Sequence, residues 1–179
     1  ALPLISLSLH RRLTRRRMAF TRQLVNQLER DKARFSDLSM IDPLTTLLNR
    51  RGLEFQFHHM SNDCATEHKD FVVMIDIDFF KLYNDHYRHQ YGDTALTAIA
   101  QIIKEAVRSR DLAVRYGGEE FLLILRDASE TLAIQICEHI RSHVEQLALI
   151  NEYQPNGYSV VTISAGLSEM DNNNLENTI

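Results

Sequence analysis

Residues 112–125, LAVRYGGEEFLLIL, set two apolar runs on either side of Gly117-Gly118 and follow the glycines with two adjacent carboxylates. LAVRY and FLLIL each have the length and residue types of a strand, so the Gly-Gly step between them reads as a hairpin. A hairpin cannot stand alone in water, and the rest of the chain supplies partners for it. FVVMIDI (71–77) is apolar nearly throughout, the pattern of a strand buried on both faces. DTALTAIAQIIKEAV (93–107) repeats apolar residues at helical spacing, with Asp93 where an N-cap belongs. ETLAIQICEHIRSHVEQL (130–147) is a second amphipathic helix, and YSVVTISAGLS (158–168) a last strand. The order helix, strand, helix, strand, strand, helix, strand predicts a sheet with helices packed on it, of α/β or α+β class. With 44% apolar residues in 179, the chain has enough material for such a core.

The first forty residues differ in character. ALPLISLSL precedes HRRLTRRR, and residues 1–17 hold five arginines and no acid. The net charge of the chain is −4, from 20 basic and 24 acidic side chains; beyond residue 17 the balance is 15 against 24, or −9. That balance argues against a nucleic-acid binder. A run of nine mostly apolar residues is too short for the roughly 20 that span a bilayer. They are read either as the stub of a longer membrane helix with the arginines on the cytoplasmic side, or as part of a solvated basic segment. Residues 18–40 lack Gly and Pro and carry Leu24, Leu28, Phe35 and Leu38 near heptad spacing. This predicts a long helix that pairs with its own copy or lies on the domain. DPLTTLLNRRG (42–52) breaks it at Pro43 and opens the next helix, dividing the chain into 1–40 and 41–179. Two cysteines, Cys64 and Cys137, make no disulfide framework and no zinc ligand pair, which fits a reducing compartment.

The chemistry gathers at acids placed where strands end. Asp76 and Asp78 are one residue apart at the end of FVVMIDI, and alternate strand positions share a face. If that strand stays extended and neighbours the hairpin, both acids and Glu119 and Glu120 converge. Carboxylates that close repel and raise one another's pKa, a conflict that a divalent cation resolves. An all-oxygen donor set suits magnesium or manganese better than zinc. Gly117 and Gly118 let a ligand approach the backbone, whose N–H groups meet phosphate oxygens; DFFKLYND adds further N–H groups and Lys81. Acids, glycines and lysine together suit phosphoryl transfer. The plainer alternative is a Gly-Gly turn with solvated acids, Asp76 and Asp78 capping a helix. His139 and His143, four apart on a helix, lack an evident third ligand and are read as surface or half-buried groups. His86 and His89 are read as packing or polar groups.

RYGGEEF, MIDIDFFKLYND, YGD and DPLTTLLNR together resemble the GGDEF-domain diguanylate cyclases over roughly residues 40–167. The resemblance implies an α+β domain, an α/β sandwich whose central, mostly antiparallel sheet has flanking helices like the palm of polymerases and nucleotidyl cyclases, preceded here by a long N-terminal helix. It implies condensation of two GTP into cyclic di-GMP with release of two pyrophosphates. Asp76 and Glu119, with the Ile77 carbonyl, would hold Mg2+ or Mn2+, two ions per GTP. Glu120 would assist the metal or the deprotonation of the 3′-hydroxyl, so that Asp76, Glu119 and Glu120 form the catalytic set. Phe79, Phe80 and Lys81 would line the phosphates, Asn84 and Asp93 would bind the guanine edge, and Gly117 and Gly118 would give the nucleotide room. RSRD (108–111) matches the family's inhibitory motif, in which Arg108 and Asp111 bind product; alternatively it is the charged end of a helix, favoured by the dipole. Two GTP sites must face each other, which implies a homodimer formed through the N-terminal helix and the active-site encounter. The expected setting is cytoplasmic, with a tether to the inner membrane before Ala1 under the membrane-stub reading.

The chain departs from the family pattern in four places. Thr46 and Arg88 stand where glycine is usual, and His139 stands near a further product-binding arginine. The family's closing helix, with its triphosphate-binding basic residues, does not occur before the sequence runs out at NNNLENTI, which is read either as a truncation or as an incomplete domain. These departures support a second expectation, a weak or inactive module that binds cyclic di-GMP or GTP as a sensor or dimerisation domain.

Overall fold

The protein was analysed as a computed structural model that describes residues 39–59, 69–155 and 157–170, together with helical positions Met18, Arg22, Gln23, Val25 and Gln27. The chain separates into two compact units, Ala1–Ser39 and Met40–Ile179. The apolar N-terminal run, the heptad residues Leu24, Leu28, Phe35 and Leu38, Cys64, and the last nine residues lie outside the described residues. Among the described residues, no helix is long and apolar enough to cross a membrane.

The second unit runs β1 (Leu48–Asn49), α1 (Arg50–His59), β2 (Lys69–Ile77), α2 (Phe80–Tyr87), α3 (His89–Ala106), β3 (Leu112–Arg115), β4 (Glu120–Ala128), α4 (Glu130–Gln146) and β5 (Ile163–Glu169). The strands form one sheet in the order β1-β3-β4-β2-β5. β1 pairs with β3 in parallel; every other pairing is antiparallel. This is the α+β sandwich that the sequence predicts.

The continuous apolar runs of β2 and β4 follow from their central places in the sheet, where both faces are covered. Phe71, Val73, Ile75 and Ile77 of β2 join Phe121, Leu123 and Leu125 of β4 on one face. There they pack under Phe80 and Tyr83 of α2, Leu96, Ile99 and Ile103 of α3, and Ile136, Ile140 and Val144 of α4. The alternate residues Val72, Leu122 and Ile124 line the other face with Val114, Leu53 of α1 and Met170. Asp76 and Glu120 continue this second row by strand alternation.

Local chemistry sets the element ends. Asn49 caps α1, its Oδ1 accepting from Gly52 N at 2.8 Å. Gly52 is required there, because a Cβ would stand 2.2 Å from the Met40 carbonyl oxygen. Ser129 caps α4 through Leu132 N. Two expectations need correction. Asp93 is no N-cap, since α3 begins four residues earlier, at His89. The segment after β2 is a helix of its own, α2, which the sequence order omits: it is only 8 residues long, too short for its periodicity to stand out.

The two non-glycine departures from the family pattern both fall at left-handed backbone, Thr46 at φ 60° and Arg88 at φ 73°. Arg88 joins α2 to α3 with ψ 155°, a combination that only glycine adopts without strain. Its N–H donates to Asn84 O and its carbonyl accepts from Gly92 N, so the surrounding bonds hold it there. Replacing Arg88 by Gly is expected to raise the free energy of unfolding by about 1 kcal/mol, measured by urea denaturation.

Candidate active site

The β2–β4 register places Asp76 directly opposite Glu120. The hairpin closes just beyond, with Tyr116 N and Gly117 N both donating to Glu120 O, at 2.8 and 3.2 Å. Gly117 lies against the Glu120 side chain, where a Cβ would come 2.3 Å from Oε2. A side chain at that position would displace the carboxylate; glycine lets it fold back along the hairpin.

The charges of these acids reach one another. Partial burial pushes the Asp76 carboxyl above its ordinary range, and the neighbouring charges of Glu120 and Asp78 push it further. Burial likewise raises Glu119, followed by the charges of Asp76 and Glu120. The structure thus brings together Asp76, Glu119 and Glu120, which the sequence predicts as one site. Among the described residues, no three His, Cys, Asp or Glu side chains form a ready-made cage for a metal. The donor set is nevertheless all oxygen and electrostatically uncompensated. That fits a cation such as Mg2+, which is commonly bound by one or two carboxylates and completed by substrate phosphates and water.

Asp78 departs from expectation. β2 ends at Ile77, so Asp78 has left the strand and no longer alternates with Asp76. Its Oδ2 accepts from Thr162 Oγ1 and its Oδ1 from Ser164 Oγ, both at 2.6 Å. It does not cap α2 either: the N-cap position is Phe79, in left-handed backbone at φ 55°, whose side chain makes no capping hydrogen bond. Phe80 is buried in the core, whereas Phe79 is 44% exposed and Lys81 is exposed. The first N–H groups of α2, which follow Asp78 directly in the chain, carry no cap from the Phe79 side chain, and helix geometry favours an anion at such an end.

Asn84 and Asp93 lie on the two helices that meet at Arg88. Asn84 Oδ1 is buried without a hydrogen-bond partner and packs against Gly92, where a Cβ would come within 2.0 Å of it. Asp93 is exposed and lines an open groove of about 520 Å3 with Leu44, Thr94, Thr97, Ala98 and Gln101.

Arg115 is a site residue that the sequence reading misses. Its Nη2 donates to Gly118 O at 2.8 Å, and its Nη1 to Asp42 at 3.2 Å. Asp42 also accepts from Thr45 N and Oγ1. The arginine thereby braces the Gly-Gly hairpin against the turn at 42–47. Burial alone would raise the Asp42 carboxyl, but the Thr45 hydrogen bonds and the Arg115 charge outweigh it, leaving the net shift downward. The only sequence signal was the recurrence of DPLTT and RYGG in one chain, which names no pairing.

Arg108 and Asp111 meet at the turn between α3 and β3. Arg108 Nε and Nη2 form a two-pronged contact with Asp111, each at 3.0 Å, and Nη2 also donates to Arg126 O at 2.7 Å. Asp111 further accepts from the backbone of Arg108 and Arg126, and its side chain is fully buried. Asp111 is thus spent on the fold, while Arg108 remains partly exposed. The His139 and His143 rings lie tilted against each other at 4.0 Å, and His86 stacks on Tyr153 at 3.6 Å.

Two outcomes are expected from this geometry. Asp111→Ala orphans two backbone N–H groups and unseats Arg108, costing about 3 kcal/mol of stability in denaturant titration. The raised Glu119 pKa means that the native state binds more protons than the unfolded one, so stability falls as pH rises from the ordinary value of 4.5 through the raised one. In EDTA, Glu119→Gln is therefore expected to melt above the parent at neutral pH, and the gap to close below pH 4.5, by thermal scans across that range.

A family profile described as "Diguanylate cyclase, GGDEF domain" matches residues 39–179. Diguanylate cyclase A of Treponema denticola is 44% identical over 97 residues, covering 54% of this chain and 25% of the relative. Diguanylate cyclase VdcA of Vibrio cholerae is 31% identical over 159 residues, covering 87% and 45%. The chain thus spans less than half the length of these curated relatives. Among solved structures, the coiled coil and GGDEF domain of Caulobacter crescentus DgcB, in complex with c-di-GMP, aligns with TM-score 0.66 at 25% identity, over 88% of this chain and 83% of that one. Pseudomonas aeruginosa SiaD, in complex with its activator SiaC, aligns with TM-score 0.62 at 33% identity, over 93% and 64%. With the acids, the glycine hairpin and the sheet order in place, this chain belongs to the GGDEF-domain diguanylate cyclase family.

Proposed function

We propose that the domain condenses two GTP molecules into cyclic di-GMP. The observation that carries this reading is the convergence of Asp76, Glu119 and Glu120 beside Gly117-Gly118 and the uncapped start of α2. The 3′-oxygen of one GTP attacks the α-phosphorus of the other, the bond to the β-phosphate bridging oxygen breaks, and pyrophosphate leaves. A second such step closes the ring. A divalent cation, when bound, lowers the pKa of the 3′-hydroxyl and offsets charge on the α-phosphate. Mg2+ or Mn2+, two per GTP, suits the oxygen donors, with Asp76, Glu119 and the Ile77 carbonyl as its holders. Glu120 receives or relays the hydroxyl proton. The backbone at Phe79 and Phe80, with Lys81, holds phosphate oxygens, and Gly117 and Gly118 admit the triphosphate to the hairpin backbone. Asn84 Oδ1, a buried acceptor without a partner, and the Asp93 carboxylate match guanine's N2 and N1–H donors.

One chain offers one such site, so turnover requires two domains in opposed orientation, an encounter with C2 symmetry. The N-terminal segment would raise the effective concentration of the second domain. Product binding at Arg108 would slow the enzyme. Asp111 orients that guanidinium rather than touching the nucleotide, because both of its oxygens are already engaged. A tether preceding Ala1 would place the domain at the inner membrane's cytoplasmic face.

A second reading, a nucleotide-binding module without turnover, draws on the strained Arg88 backbone between Asn84 and Asp93. Incubation of the full chain with GTP and Mg2+, followed by chromatography of the nucleotides, separates the two. Cyclic di-GMP and pyrophosphate are expected from the parent chain. Glu119→Gln, still folded by circular dichroism, is expected to lose at least about 100-fold in rate. Product formation undiminished in that variant would remove the acid cluster from the mechanism.

A further inference from the structure

We propose that Asp78, Thr162 and Ser164 form a positioning clamp that aims the Ile77 carbonyl and the first amides of α2 at the cation and phosphates. The inference rests on the nucleotide and cation site proposed above. Asp78 takes one hydroxyl on each carboxylate oxygen, from Thr162 and Ser164, at 2.6 Å. Those lengths are typical of O–H donors to a charged carboxylate, which are stronger than neutral pairs. Thr162 and Ser164 are two apart on one extended segment, so they present their hydroxyls on one side. Thr162 is buried, which shields half of the clamp from competing water.

The backbone completes the device. Asp78 N donates to Thr162 O at 3.0 Å, so this N–H points toward the β5 side of the sheet. Across a planar trans peptide the carbonyl points the opposite way. The Ile77 carbonyl therefore faces the β4 side, where Glu119 and Glu120 emerge. One residue later, Phe79 holds a left-handed conformation that a non-glycine residue adopts only when its surroundings over-determine it. The clamp fixes the residue before Phe79, and the buried Phe80 fixes the one after. Between these anchors the chain reverses direction and presents the start of α2 without a side-chain cap. Asp78 thus serves the site through the backbone on either side of it, whereas Asp76 faces the site directly.

The test uses the full chain and Mn2+ in the presence of 3′-deoxy-GTP, which lacks the attacking hydroxyl and cannot turn over. Mn2+ binding is read by electron paramagnetic resonance, with thermal unfolding as the control for folding. The double variant Thr162→Val/Ser164→Ala is expected to lose about tenfold in Mn2+ affinity, as losing outer supports of metal ligands does. Thr162→Ser, which keeps the hydroxyl, is expected to bind like the parent. Should the double variant fail to fold, Ser164→Ala at its exposed position is expected to weaken Mn2+ about threefold in a folded chain. Parental affinity in the double variant, or in Ser164→Ala where the double variant does not fold, or equal loss from Thr162→Ser and the double variant, overturns the clamp. A parent chain that binds no Mn2+ with the nucleotide overturns the site itself, and the clamp's purpose with it.

Discussion

The antiparallel register of β2 against β4 governs the rest of this protein. It aligns Phe71 with Leu125, Val73 with Leu123 and Ile75 with Phe121 on the buried face, and the same register sets Asp76 opposite Glu120. A slip by one residue would turn each apolar row to the wrong face, so packing locks the alignment. The acidic pair inherits its position from hydrophobic contacts farther along the same strands. The core gives up stabilisation to hold these carboxylates together, because burial first and mutual repulsion second raise the Asp76 and Glu119 pKa values in the folded chain. A site of that kind is built for a positive partner.

Two polar braces keep the repulsion from opening the site. On one flank, Arg115 links Asp42 to the Gly118 carbonyl, so the hairpin cannot swing away from the turn at 42–47. On the other, Asp78 ties the end of β2 to Thr162 and Ser164. Both use a charged group hydrogen-bonded to several partners, which gives direction as well as strength. The strained positions Phe79 and Arg88 fall at the two ends of α2, the helix that follows β2 and carries Asn84. Strain is tolerated where neighbouring bonds leave the chain no alternative.

Sequence reading went furthest where the signal is local. The apolar runs of β2 and β4, the Gly-Gly hairpin and the amphipathic α3 and α4 all follow from periodicity within a single segment. It failed where length or distance intervened. α2 has too few turns to show its period, and the two-residue β1 has no pattern at all; its parallel pairing with β3 is made entirely by the fold. Asp93 looked like a cap because acids favour caps, yet the helix had already begun at His89 across a strained junction.

The sequence by itself determined the longer strands and helices, the oxygen-only chemistry of the acids and the flexibility between the hairpin strands. Side-chain type and short-range spacing are enough for those. The tertiary structure decided how near-identical acids divide their work. Asp76 stays in β2 and faces Glu120, while Asp78, two residues on, binds hydroxyls 84 and 86 positions away in the chain. It likewise gave the Asp111 carboxylate to the backbone and left Arg108 partly exposed. Such choices depend on which distant donors arrive beside each carboxylate, and only the packed sheet brings them there.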